Sequence, residues 1–261
     1  MRINRSLAAS IAAGFLVAST VGAQVLETET ARQPRRGEIE AGAGYELQHS
    51  HEGDEVAIPL SFEFGLTNRL ALLVEPVPYT AIRPEVGDSA TGPGDLEITL
   101  SMLAIEESGR MPALAVAFEE KIPTARNSLI GTGKADHSAY LIASKRVKRF
   151  DVHANVGYTI VGVPKGVAVS NRVMGALATE FNLALSTMIY GEVLASTAAG
   201  GSEGAGDGVL GSTTTELSGD EILTTLGIAH TFGERSRYSL GVTRDNTGAL
   251  QMRPGITLWF R

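Results

Sequence analysis

Carboxylates recur along this sequence in a fixed relation to their apolar neighbours. Glu38, Glu40, Glu46, Glu63, Glu75, Asp95, Glu97, Glu119 and Glu180 all fall on the polar parity of segments that alternate apolar and polar residues. Lys121, Lys145 and Arg253 fall on the same face by the same count, with His137 and His153 nearby. Carboxylates gathered on one face can do two things. They can brace a wall through ion pairs and hydrogen bonds with the basic residues. They can also form an acidic constriction that selects cations or polar solutes. Bracing is the favoured expectation, because an apposed ring of uncompensated carboxylates repels itself unless basic partners or water offset it.

Other chemistry finds little support. There is no cysteine, so thiolate nucleophiles, thiolate metal sites and disulfides are excluded. His49, Ser50 and His51 are adjacent, but no G-x-S-x-G context surrounds them, and a lone His-x-His is a poor metal signal. His137–Ser138 and His230 have no identifiable partner. No phosphate-cradling glycine motif follows a strand and opens a helix. No catalytic, cofactor or metal residue is assigned.

The elements that carry these side chains are read from a period of two. In "EIEAGAGYELQ", Ile39, Ala41, Ala43, Tyr45 and Leu47 oppose Glu38, Glu40, Gly42, Gly44, Glu46 and Gln48. In "DLEITLSM", Leu96, Ile98, Leu100 and Met102 oppose Asp95, Glu97, Thr99 and Ser101. Such alternation is the mark of a strand lying between two unlike media. About twelve segments match this template: 37–48, 55–65, 69–80, 94–105, 111–122, 136–147, 150–161, 171–181, 186–196, 220–232, 236–245 and 249–260. Most are long enough to cross a bilayer as tilted strands, which takes roughly 9–11 residues. Their connections alternate short and long, as in barrels with short periplasmic turns and long extracellular loops. An even strand number puts both termini on the periplasmic side.

Residues 1–23 form a separate unit. Arg2 and Arg5 precede the apolar run "LAASIAAGFLVAST", and "VGA" before Gln24 has the small-x-small form of a cleavage site. This pattern predicts a secretory signal peptide. Its removal takes away two of 22 basic and none of 29 acidic residues, leaving a net charge of −9. An acidic exported chain is a poor partner for nucleic acid, whose phosphates need clustered Lys and Arg. Residues 24–36 read as a short polar lead, and 37–261 as one domain. A soluble β-sandwich would show the same alternation. Export, the loop asymmetry and the small residues on the apolar face favour the membrane. The expected fold is all-β: a transmembrane antiparallel up-and-down β-barrel of about 12 strands, embedded in outer-membrane lipid.

"PGDLEITLSMLAIEE", "MPALAVAFEEKIPTA", "GTGKADHSAYLIASKRV" and "FDVHANVGYTIVG" resemble successive strands of the outer-membrane family called MetA pathway of phenol degradation proteins. The resemblance covers roughly residues 37–260. It implies an outer-membrane transporter or channel for small solutes, aromatic or hydrophobic compounds among them. "GITLWF" is similar to the C-terminal strand of outer-membrane barrels generally, which implies recognition by the barrel-assembly machinery; Arg261 is one residue beyond that pattern.

The function expected is passive uptake or efflux of a small-molecule solute, not enzymatic, without cofactor. The lumen lining is expected to include Glu40, Glu63, Glu75, Asp95, Glu97, Glu119, Lys121, Lys145, His153, Glu180 and Arg253. Gly42, Gly44, Ala113, Ala115, Ala117 and Gly157 would leave room for a narrow pore. The alternatives are an outer-membrane lipid or ester hydrolase, and a passive structural or adhesion barrel; the Gly-rich 197–219 loop is long enough to fold over the mouth, but an unordered extracellular loop is the favoured expectation for it.

Overall fold

The computed structural model describes residues 26–163, 170–197 and 220–261. The signal peptide, and the 197–219 loop from residue 198 on, lie outside these. The described residues form strands and connections, with no helix.

Sixteen strand segments make twelve staves of one closed antiparallel barrel. The first three staves are each broken in two: β1 (Ile39–Gly44) with β2 (Glu46–Ser50), β3 (Gly53–Ile58) with β4 (Leu60–Gly65), and β5 (Leu70–Pro76) with β6 (Tyr79–Pro84). A short β7 (Ala90–Gly92) flanks β6. Nine unbroken staves follow: β8 (Leu96–Ile105), β9 (Ala113–Ile122), β10 (Asp136–Val147), β11 (Phe150–Ile160), β12 (Arg172–Asn182), β13 (Thr187–Ser196), β14 (Glu221–Phe232), β15 (Ser236–Asp245) and β16 (Leu250–Phe260). β16 returns to β1, pairing Ile39 with Phe260 and Gly44 with Gly255, so the seam leaves no edge.

Proline explains why the first staves break. The Gly44 amide donates to Pro59 O at 2.9 Å, and the Tyr45 amide donates to Pro254 O at 3.0 Å. Neither proline has an N–H to return, so the ladder lapses on both sides of Tyr45. The other nine staves are unbroken, with one register shift, between Leu103 and Ile105 of β8 against β9.

The parity read from the sequence is the parity of the wall. Leu141, Phe118 and Leu226 point outward and remain 64–68% exposed. Ser144, Asp151, His153 and Glu180 point inward and are all but fully buried. A water-facing surface does not gather apolar side chains on every stave. A lipid-facing one does.

Between the staves, the space beside the small inner residues is partly filled. Ala113, Ala115 and Ala117 pack with Ile142 around Ala31, from the N-terminal lead. A Cβ on Gly157 would strike the Tyr140 ring at 2.6 Å, and one on Gly227 would strike the Tyr190 phenol at 2.2 Å. Of the small residues expected to leave room for a narrow pore, Ala113, Ala115 and Ala117 make room for Ala31 and Gly157 for the Tyr140 ring.

Candidate functional site: the lumen

Residues 26–36 pass the short-turn end of the barrel beside Gly65, whose chain exchanges bonds with the lead: the Gly37 amide donates to Gly65 O at 2.8 Å. From there the segment climbs the interior. Gln33 accepts a hydrogen bond from Ser101 at 2.6 Å. Arg32 reaches both Asp151 oxygens, at 2.9 and 3.0 Å, and Glu107 at 2.7 Å. The Ala31 amide donates to Ser144 Oγ at 2.8 Å. Asn155 brackets the Glu29 peptide, accepting from its N–H at 2.6 Å and donating to its carbonyl at 3.0 Å. The Thr28 amide and hydroxyl both donate to Glu192, the amide at 2.6 Å. Glu27 accepts from Arg253 at 2.6 Å, and Leu26 packs with Ala178, Met188, Tyr190 and Ala229.

Glu107 lies in the turn between β8 and β9, outside the spanning strands. Burial would raise its carboxyl, but hydrogen bonds from Arg32, Lys145 and the Arg146 amide outweigh it and hold the group at about 2, against an ordinary 4.5. Arg32 is likewise opposed by burial, yet Glu107 and Asp151 push its guanidinium above its usual range. The pair forms a latch where the segment meets the short-turn end.

The expected lumen residues fall into three groups. The first is engaged in bracing. Trp259 Nε1 donates to Glu40 at 2.7 Å, and Arg237 lies over the same indole at 4.9 Å. Arg253 donates to Glu46 at 2.8 and 3.0 Å as well as to Glu27. Lys121 pairs with Asp136 at 2.6 Å and stands 4.0 Å from Asp95. Asp95 accepts from the Ala125 amide at 2.9 Å, and Asp136 from the Gly162 amide at 2.7 Å, so these side chains tie long loops over the mouth.

The second group lines one sector of the inner wall. Glu63, Glu75, Glu97 and Glu119 sit on four consecutive staves, deep in the barrel but neither fully buried nor fully exposed. Glu75 is directly opposite Glu97 in the ladder, Glu63 opposite Glu40, and Glu119 opposite Thr99. Glu119 accepts from Ser138 and Tyr140, each at 3.2 Å.

The third group is His153 and Glu180. Ser144 Oγ is 2.8 Å from His153 Nδ1, and His153 Nε2 is 3.3 Å from Glu180 Oε1. Hydroxyl, imidazole and carboxylate stand in the order of a hydrolytic triad. But Ser144 already holds the Ala31 amide, and all three side chains are sealed beneath the segment. A carbonyl has no approach to Ser144 Oγ while Ala31 is in place. The cluster anchors residues 29–32.

Lys145 is a correction. It shares its parity with Leu141 and Val147, the outer face, and its chain folds round the short-turn rim to Gly109 O (2.7 Å), Met111 O (3.1 Å) and Glu107 (3.0 Å). A long side chain at a stave end escapes the rule that parity decides facing. His137 is also outside, paired with Glu120. His49 bonds Asp54 at 2.6 Å on the exposed long-loop rim. Among the described residues no group of three or more His, Asp or Glu could hold a metal ion.

Sequence reading missed Glu27, Glu29, Arg32, Asp151, Glu192 and Arg237. Arg237 was legible: it continues the parity of Ser239, Gly241 and Thr243 by one step. Residues 27–32 carry no period to read.

No protein-family model and no curated protein matches the sequence. Solved structures do match. The chain is similar to the COG4313 outer membrane channel from Pseudomonas putida F1, with a TM-score of 0.66 and 11% identity over 88% of this chain and 98% of that one. It is similar to KdgM porin in complex with disordered oligogalacturonate (TM-score 0.56, 10% identity, 85% of this chain and 99% of that one). It is also similar to NanC porin (0.55, 8%, 84% and 98%). At these identities the likeness is one of fold: the protein has the architecture of an outer-membrane, porin-like barrel.

Proposed function

We propose that this protein is an outer-membrane channel for passive movement of small solutes, narrowed by its own residues 26–36. The observation that carries the reading is the closed barrel whose inner wall carries Glu63, Glu75, Glu97 and Glu119, side chains that the segment does not cover completely. Export through the 1–23 signal, insertion through the C-terminal strand and residence in outer-membrane lipid belong to the same reading. The solutes implied by the resemblance are aromatic or hydrophobic, and Met174, Ala176, Leu194, Leu223 and Ala249 give the inner wall one apolar patch. Purified protein should migrate differently on gels before and after heating, conduct in planar bilayers and admit small solutes in liposome swelling. Swelling rates for phenolic and charged solutes of equal size would sort the solute class. Absence of both conductance and swelling, with residues 24–36 present and deleted, would sink the channel reading. Ester hydrolysis that vanished with Ser144→Ala would replace it with an enzyme.

A further inference from the structure

The two ends of the barrel differ in charge. The chain as a whole is acidic, with 29 acidic against 22 basic residues. Yet the short-turn end exposes Arg35 and Arg36 from the lead, Arg110 between β8 and β9, Lys148 and Arg149 between β10 and β11, and Arg235 between β14 and β15. None of these six has an ion pair among the described residues. The acids at this end are mostly taken: Glu106 by Arg69, Glu38 by Arg261, and Glu107 by Arg32 and Lys145. At the long-loop end the described connections reverse the balance, with Glu52, Glu85, Asp88, Asp95 and Asp220 against Arg126 and Lys134.

The short-turn cations sit at a definite level of the wall. Arg149 adjoins Phe150, Arg261 adjoins Phe260, and Arg235 lies three residues beyond Phe232. These rings are exposed on the outer face at the stave ends, where Phe150 meets Phe181 at 4.8 Å and Phe232 meets Tyr238 at 5.3 Å. Outward aromatics at stave ends mark the border between hydrocarbon and headgroups. A long basic side chain just beyond that border reaches the headgroups themselves.

Lys148 adds a second observation. The left-handed positions of three other connections at this end are glycines, Gly37, Gly109 and Gly233. In the two-residue turn between Val147 and Phe150, Lys148 holds a φ of 58°. An L side chain is strained there. A basic residue thus stands, beside Arg149, where glycine would sit more easily.

We propose that the short-turn rim binds anionic phospholipid headgroups, through Lys148 and Arg149 with Arg110 and Arg235. The cations are spread over separate turns around the circumference, which suits an annulus of lipid phosphates better than one docked protein. Lipid phosphates attract clustered Lys and Arg over a short, salt-screened range. This goes beyond the channel reading and rests only on its membrane setting.

The test places the full mature chain in vesicles of an equimolar mixture of phosphatidylcholine and phosphatidylglycerol, followed by detergent extraction and native mass spectrometry. The wild type should retain phosphatidylglycerol several-fold over phosphatidylcholine. Arg110→Gln, Lys148→Gln, Arg149→Gln and Arg235→Gln together should remove most of that preference, with heat-modifiable migration showing that the variant is folded and with bilayer conductance unchanged. Arg126→Gln with Lys134→Gln, at the other end, should leave the preference in place. A folded wild type without preference, or a folded quadruple variant that keeps it, overturns the proposal alone. So does a rim that shows no lipid preference but binds purified peptidoglycan or an acidic protein through the same four residues. A wild type that enters no bilayer overturns the membrane setting as well.

Discussion

Trp259 shows what parity can and cannot reveal about a single residue. Alternation puts this large ring inside the barrel, which is awkward until its partners are seen: Glu40 at its nitrogen and Arg237 over its face. Both lie far away in the chain, so no local pattern points to them. Trp259→Phe keeps an aromatic ring but loses the pyrrole half of the indole with its N–H, and so removes the bond to Glu40. It should lower unfolding stability in detergent by about 1 kcal/mol, the typical net worth of such a bond. Glu107 carries a pH dependence of definite sign. Its carboxyl sits at about 2 when folded against 4.5 ordinarily. The folded state therefore favours the ionised form. That stability is fully present above about 4.5 and is lost as pH falls toward 2. Thermal unfolding of wild type and Glu107→Gln should differ at neutral pH and converge across that window. Lys145 was misplaced from sequence for the converse reason: it sits at a stave end, where a flexible chain can leave the face its Cα belongs to.

Among the elements, staves were legible and the inner segment was not. A stave is repeated twelve times and announces itself by its period, because one face meets lipid and the other does not. Residues 26–36 are not a strand and bond staves on several sides, so no period of two arises. Their composition looked like a loose polar lead, yet Glu27, Thr28, Ala31, Arg32 and Gln33 each bond a residue on a distant stave. Gly65 is where this element depends on a missing side chain. A Cβ there would stand 2.0 Å from the Arg35 carbonyl oxygen. Gly65→Ala should unseat the segment, raising conductance and exposing residues 26–36 to protease. Gly175→Ala, which meets nothing within 4 Å, should change neither.

Across the whole molecule, the outer surface distinguishes lipid from water. Leu226 is 68% exposed, so in a water-soluble barrel an arginine there would be nearly neutral. On the lipid face near mid-wall it should destabilise the folded barrel by about 2–4 kcal/mol, measured by urea titration in lipid vesicles. The fold class was readable because it rests on period and loop length, which are properties of sequence. The lumen's occupancy was not, because it rests on contacts between residues far apart.

Arg253 joins these scales. From β16, the final stave, it grips Glu46 on the first stave and Glu27 on the segment within. The pairing with the greatest chain separation is the seam, and such long-range pairings are slow to form. The bond that zips the seam therefore also fixes what lies inside it. Closing the seam and holding the segment draw on the same guanidinium. A variant without that guanidinium should loosen the seam and the segment together, whereas one that only unseats the segment should leave the seam closed.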